Sequence, residues 1–416
     1  MKSSRRATSP SGGYICRLGS SSMPLGLKSP FHILRLLFNA LGAVLPLLLL
    51  HPSGNDGPPP PHWGVFAQRV TTIAGTPLIS GSADGTGSAA RFHFPSGITA
   101  SPGGTYLLIS DANFTIRKLM LSDNSVTTIA GLVGASGLTD GAASAARFYG
   151  PSDIAFAPTG LFAYISDTCL IRKLTMSGGD VTTYAGTYPW GYVDATRLSA
   201  KFNTTSGLAL AGGVLYVGDR SVSVIRSVTA ADNMVRTFAG TAYVIGFADG
   251  APGVASFTNI QGLAFATKDA MLYVCDSTFG AGRIRKVNPS NGDTATVTSQ
   301  PMSIAVGLLS FTNGDLYVAI AAARAIYKIP YSSTPSIRPV SAYMGTGADG
   351  TTDGGPGIAK FGQVRWIATI PNSDVIFVAD SFSHTIRRID PGTTTATASS
   401  TTTRTTTVTA TGTTTT

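Results

Sequence analysis

The sequence predicts an all-β fold: a six-bladed β-propeller of four-stranded blades, closed by an N-terminal strand that completes the last blade. Three observations predict it. One pattern recurs five times at intervals of about 55 residues, the mark of a repeat architecture. Each copy reads as short strands bounded by Gly, Pro and Asp turns, with no convincing helical periodicity. The series also starts on an outer-type strand and ends on an inner triplet.

The first copy runs Val70-Thr-Thr-Ile-Ala-Gly75, Asp84-Gly85, Phe92, Ile98, Asp111 and Ile116-Arg-Lys118. The second repeats it from Val126 through Asp140, Phe148, Asp167 and Ile171-Arg-Lys173. The third carries Asp194, Phe202, Asp219 and Arg226; the fourth Asp249, Phe257, Asp276 and Arg285; the last Asp353, Phe361, Asp380 and Arg387. From the loop Asp to the Phe is eight residues in all five copies, and from the Phe to the second Asp is nineteen in four and seventeen in the third. Such constancy implies one backbone path. In each copy the small, apolar run after the Phe suits a buried inner strand, and Tyr106 to Ser110 or Leu272 to Cys275 suits the strand after it.

Residues 288–340 lack the Asp-Gly loop and the Phe but keep strand-like runs, with Ala319 in place of the second Asp. They form a degenerate fifth blade. Closure then pairs Val70 to Ile73 with the triplet Val364 to Ile389, which removes open sheet edges. Four antiparallel strands repeated around an axis make a propeller.

Asp380-Ser-Phe-Ser-His-Thr-Ile-Arg-Arg388, with the Ala-Gly, Asp-Gly and Ala-x-Phe motifs, resembles the NHL-repeat family of six-bladed propellers over residues 65–390. That family includes RNA binders, extracellular interaction modules and a few enzymes, so the resemblance implies a fold rather than a function. Most copies here lack the Asn of the family's Asp-x-x-Asn-x-x-Ile-Arg turn. The family's amidating lyase holds a channel zinc with several His, whereas this propeller has only His93 and His384. The similar calcium-dependent lactonases use a Glu, and this chain has none.

The net charge of +9 suggests a nucleic-acid partner until it is located. Six Lys or Arg and no acid lie in residues 1–35, while residues 65–390 hold 23 Lys or Arg against 20 Asp, a net of +3. No nucleic acid is therefore expected. Cys16, Cys169 and Cys275 form no disulfide framework.

Residues 36–50 are an apolar run behind a basic segment, so residues 1–50 read as a leader carrying a signal peptide or signal anchor, with Met1 or Met23 as its start. Residues 51–64 read as a Pro/Gly-rich linker. Residues 391–416 read as a disordered tail, 16 of the 24 residues from Thr393 onward being Thr, which suits an O-glycosylated stalk. Asn113 and Asn203 are N-glycosylation sequons. Together these features place the protein on the secretory route, extracellular or membrane-anchored with the propeller outside, and touching a membrane only through residues 36–50 if these stay uncleaved.

The Asp-Gly loops read as turns. Asp349 and Asp353 share the one loop with two acids, the candidate place for calcium; otherwise no metal or cofactor is expected. The five Phe pack between blades, and each Arg of the Ile-Arg motif partners a strand-end Asp. An enzyme should break the repeat where its chemistry lies. Before the first inner-strand Ile or Leu the copies read Gly97, Asp153, Gly207, Gly262, Ser303 and Trp366. Asp153 and Trp366, with Gln261 and Arg365 beside them, could line a channel mouth for a small polar ligand, or fill the channel and satisfy one another. Tyr188, Trp190 and Tyr192 make an aromatic cluster on a variable rim loop, or pack over neighbouring loops. The reading is a non-catalytic scaffold binding a protein or glycan partner through rim loops. A hydrolase or lyase with an Asp-bound channel metal is the alternative, and RNA binding a third.

Overall fold

The computed structural model describes residues 67–298, 300–334 and 337–392. The leader, the linker and residues 393–416 of the tail lie outside the described residues. What is described is six antiparallel sheets. Blade one comprises Ile98–Ala100, Tyr106–Asp111, Thr115–Met120 and Ser125–Gly131, counted from the innermost strand outward. Blade two comprises Pro151–Phe156, Phe162–Asp167, Leu170–Thr175 and Val181–Ala185. Blades three, four and five begin with inner strands Thr205–Ala211, Ile260–Ala266 and Ala305–Ser310. Blades one and three gain a two-residue fifth strand at the outer edge, Gly85–Thr86 and Ala195–Thr196, cut from the loops that carry Asp84 and Asp194.

Blade six is made from both ends of the propeller. Val364–Ala368, Ile376–Asp380 and Thr385–Asp390 supply three strands, and Arg69–Ala74 supplies the outermost. Arg69 pairs with Asp390 and Val70 with Ile389. The Val70 N–H donates to the Gly354 carbonyl at 2.8 Å, which ties the closing strand to the Asp-Gly loop of the same blade.

Five blades share one internal latch. In blade one, Arg117 Nη2 meets Asp84 at 2.8 Å and Nη1 meets Asp111 at 3.1 Å. The guanidinium carbon lies 5.2 Å from the Phe92 ring centre, a cation–π contact. Asp84 in turn accepts the Thr128 N–H at 3.0 Å. One arginine therefore joins the incoming loop and the second and third strands, and through Asp84 the outer strand. Asp140–Arg172–Asp167, Asp194–Arg226–Asp219, Asp249–Arg285–Asp276 and Asp353–Arg387–Asp380 repeat it. All five arginines are fully buried. A forked, always-charged side chain is needed to bridge two carboxylates, which lysine cannot do. Burial raises the Asp111 carboxyl above its ordinary range, and the Arg117 charge opposes it.

The Phe of each latch fills the seam between blades. Phe148 packs among Leu108 and Ile116 of blade one and Ile154 and Ile165 of blade two. Blade five manages without the latch. Ala319 and Ile326 there join an apolar cluster with Phe361 and Ile376 of blade six.

Around the channel, five inner strands skip two residues in their pairing. The second skipped residue is Asp153, Gly207, Gly262, Gly307 or Trp366, and Gly97 stands at the matching place before Ile98. Ser303 does not belong to this column. The blade-five strand starts at Ala305, and it is Leu308 that faces Val318, so the Ile304-Ala305 pair only imitates the start of the inner strand seen in other copies. The glycines are required by close approach. A Cβ on Gly97 would overlap the Ser152 carbonyl oxygen, and one on Gly307 would lie 2.6 Å from the Arg365 carbonyl oxygen.

Candidate functional site

The six inner strands enclose a cavity of about 370 Å³. Ile98, Ile154, Leu208, Leu263, Leu308 and Ile367, one from each blade, form its aliphatic layer. Asp153 and Trp366 also line it, at the end where the inner strands begin. Asp153 Oδ2 accepts the Leu208 N–H of the next blade at 2.8 Å, and Oδ1 accepts the Ile154 N–H at 2.8 Å. The Trp366 side chain supplies a further hydrogen bond to it. Burial pushes the Asp153 carboxyl up to about 7 in spite of these donors. Trp366 packs with Val306, Ile98 and Ala368. These two residues thus form a plug in space that glycine leaves in the other blades.

Gln261 and Arg365 do not share that space. Each is the first residue of its bulge and is absent from the cavity wall. Gln261 Nε2 donates to Asn259 Oδ1 at 3.0 Å. Arg365 is half-buried, and burial together with the charge of Arg220 holds its guanidinium below its ordinary range. The four candidate channel residues therefore divide into a plug and a mouth.

The plug end of the channel opens onto the rim. Second strands finish, and inner strands start, at the same end of every blade, as the pairing of Pro151 with Asp167 requires. The loops entering each blade lean on turns at that end. The Leu78 N–H donates to the Ser383 carbonyl at 3.0 Å, and the Tyr243 N–H to the Val222 carbonyl at 2.9 Å. Most of the large apolar side chains left in water sit here: Leu78, Ile79, Leu132, Val133, Tyr188, Trp190, Tyr243 to Ile245, Phe279 and Phe382. Phe279 is 84% exposed and Ile245 75%. Leu161 and Ile337 stand at the opposite end.

Tyr188 and Trp190 meet edge to face at 6.0 Å, both exposed. Tyr192 points the other way. Its hydroxyl is 2.6 Å from Thr237 Oγ1, and Arg226 lies over its ring at 4.9 Å. It touches Tyr243 of the next loop at 5.9 Å and so links two rim loops. Sequence reasoning missed Tyr243 to Ile245 and Phe279. The signal for the first was present, as apolar residues three to five positions beyond the Ala-Gly of a loop that must be exposed.

Among the described residues no group of three or more His, Cys, Asp or Glu converges. Asp353 Oδ1 is engaged by Arg387 at 2.6 Å and Oδ2 by the Thr72 N–H at 2.8 Å, while Asp349 is exposed with Arg324 Nε at 3.5 Å. A cation at Asp353 would have to displace its arginine. Cys169 and Cys275 are buried free thiols. Asn113 and Asn203 are half-buried, and Asn113 Nδ2 donates to the Gly81 carbonyl at 3.3 Å.

No family model matches the chain. The human protein named NHL repeat-containing protein 2 is 27% identical over 287 residues, covering 58% of this chain. The chain spans 39% of that relative's length. A structural genomics protein of unknown function from Bacteroides thetaiotaomicron superposes with a TM-score of 0.58 at 17% identity, over 78% of this chain and 76% of that one. An auxiliary nutrient binding protein from the same organism superposes with a TM-score of 0.57 at 13% identity, over 79% and 77%. At such identities the solved structures speak for the fold alone.

Proposed function

We infer that this chain, an NHL-repeat six-bladed β-propeller, is a non-catalytic scaffold that binds a protein partner through its rim. The observation that supports this most is the gathering of exposed apolar side chains at one end of the blades. Large exposed apolar patches mark interaction sites. The aliphatic residues among them favour a protein over a glycan, since Leu78, Val133 and Ile245 offer no ring for a sugar to stack on.

The alternative is channel catalysis on an Asp-bound metal. Its one acid in the cavity wall is Asp153, and both oxygens of that carboxyl already accept backbone N–H groups. An RNA-binding face would need a basic stripe. Five arginines of the propeller are instead buried in latches.

The same reading places the protein on the secretory route, secreted or tethered through residues 36–50. The basic segment ahead of that run, the two sequons and the Thr tract support it. A glycosidase mobility shift with protease protection of the full chain tests the route.

Site-specific photocrosslinking in the producing cell tests the rim. Crosslinkers at Trp190, Ile245 and Phe279 should yield one adduct of discrete mass, and a crosslinker at Leu161 should not. Equal labelling from both ends, or none from the rim, would sink the reading.

A further inference from the structure

Six aspartates are buried among the described residues: Asp111, Asp153, Asp167, Asp219, Asp276 and Asp380. Five of them meet a latch arginine at 3.0 to 3.2 Å. Asp153 is the exception. It is 5% exposed, and among the described residues its neighbours bring it hydrogen bonds but no cation. It also stands where the other five do not, in the wall of the channel cavity of about 370 Å³. Among the described residues that line this cavity, Asp153 alone has a titratable side chain.

The wall fixes what could reach it. Asp153 and Trp366 head the cavity at the rim end. Below them come the aliphatic layer and then the small side chains of Thr99, Ala155, Ala209 and Ala264. The wall runs on to Phe156, the last residue of its inner strand, and to Thr267 and Thr369, each one residue past the end of its own. Thr267 is exposed, so the cavity opens at the end away from the rim. A carboxylate held in such an apolar enclosure without a cation is costly to keep ionised, and a ligand cation supplies the missing partner. A metal ion calls for several oxygen ligands, and this wall offers one carboxylate. The Leu208 N–H, the Ile154 N–H and the Trp366 side chain already donate to it. A carboxylate has about four lone-pair sites, so room remains for a single further donor, which an ammonium group provides. The Trp366 ring beside it favours a cation, and the aliphatic layer favours a hydrocarbon body.

We propose that the channel cavity binds a small organic cation, a primary ammonium on a hydrocarbon body, which enters from the end away from the rim and is held at its charged end by Asp153 and Trp366. The site does not depend on the rim reading, since a rim without a partner leaves it intact.

The test is calorimetry of the full chain with cyclohexylammonium chloride, and with cyclohexanol as an uncharged probe of the same shape, at constant ionic strength set by sodium chloride. Saturable binding of cyclohexylammonium is expected, with cyclohexanol weaker by about tenfold or more, the worth of one charge-assisted hydrogen bond. Asp153→Asn should weaken cyclohexylammonium by about the same factor and change cyclohexanol little. Thr267→Trp, at an exposed position of the open mouth, should obstruct both probes, and it keeps the test open should Asp153→Asn misfold. Failure of the parent to bind cyclohexylammonium, equal affinity for the two probes, or full binding by either variant overturns the proposal.

Discussion

Asp111 and Arg117 face each other at 3.1 Å across the second and third strands of blade one, with both side chains sealed from solvent. The relationship recurs in four further blades, at 3.0 to 3.2 Å. Removing one partner of such a pair strands a buried charge, which costs far more than the pair itself contributes. Arg117→Met should therefore destabilise the propeller by about 3–5 kcal/mol in chemical denaturation. Asp111→Ala combined with Arg117→Tyr, which copies blade five, should cost less than the single change. If the double variant loses more, the pair is worth more than its desolvation.

Backbone approach at the channel predicts a sharp contrast between two glycines. Gly97→Ala should cost about 2–3 kcal/mol or more, because its Cβ meets the Ser152 carbonyl of the next blade. Gly103→Ala has nothing within 4 Å and should be within about 0.5 kcal/mol of neutral. Melting curves of the two variants check this, and equal losses would contradict it.

Asp153 makes stability depend on pH. Its carboxyl is raised to about 7, above its unfolded value. A raised acid contributes stability fully present below the unfolded value near 4 and lost as pH rises through 7. Asp153→Asn, which cannot ionise, should make the profile between pH 4 and 8 less steep, the raised latch carboxyls such as Asp111 and Asp219 keeping the remainder. A parallel profile in the variant would show that the carboxyl does not carry the effect.

His384 acts in the opposite sense. Its Nδ1 accepts the Phe94 N–H at 3.2 Å, and its ring lies parallel to His93 at 6.2 Å. Burial first, and His93 second, hold it below its ordinary value. The stability it contributes is full above the unfolded value of about 6.5 and is lost as pH falls toward its folded value. His384→Asn suits the left-handed backbone there, where φ is 57°. The variant should lose less stability than the parent between pH 7 and 5, read by denaturant midpoints.

The blades and their closure were legible because a repeat prints its backbone path as constant spacing. The strand-end Asp and the Arg of the latch could be named as partners from their recurrence in every typical copy, whereas the loop Asp read only as part of a turn. That one arginine would join both aspartates needed the fold, since the two acids are 27 residues apart in blade one. The channel and rim were read less completely. Ser303 was placed where Gly307 stands, because a bulge leaves no mark in a degenerate copy. Tyr188, Trp190 and Tyr192 alternate in sequence, but Tyr192 turns inward to Arg226, a choice set by its neighbours.

Arg69 and Asp390 are opposite one another in the closing blade, so the polypeptide enters and leaves side by side, at the end away from the rim. A tether on either side of the propeller would therefore hold it like a flower on its stem, with the apolar loops turned outward. It would also make the closing strand the weak point under tension. Drawing the two ends apart would peel Arg69–Ala74 from Thr385–Asp390 one hydrogen bond at a time. A pull strong enough to do so would open the ring and let any bound partner go.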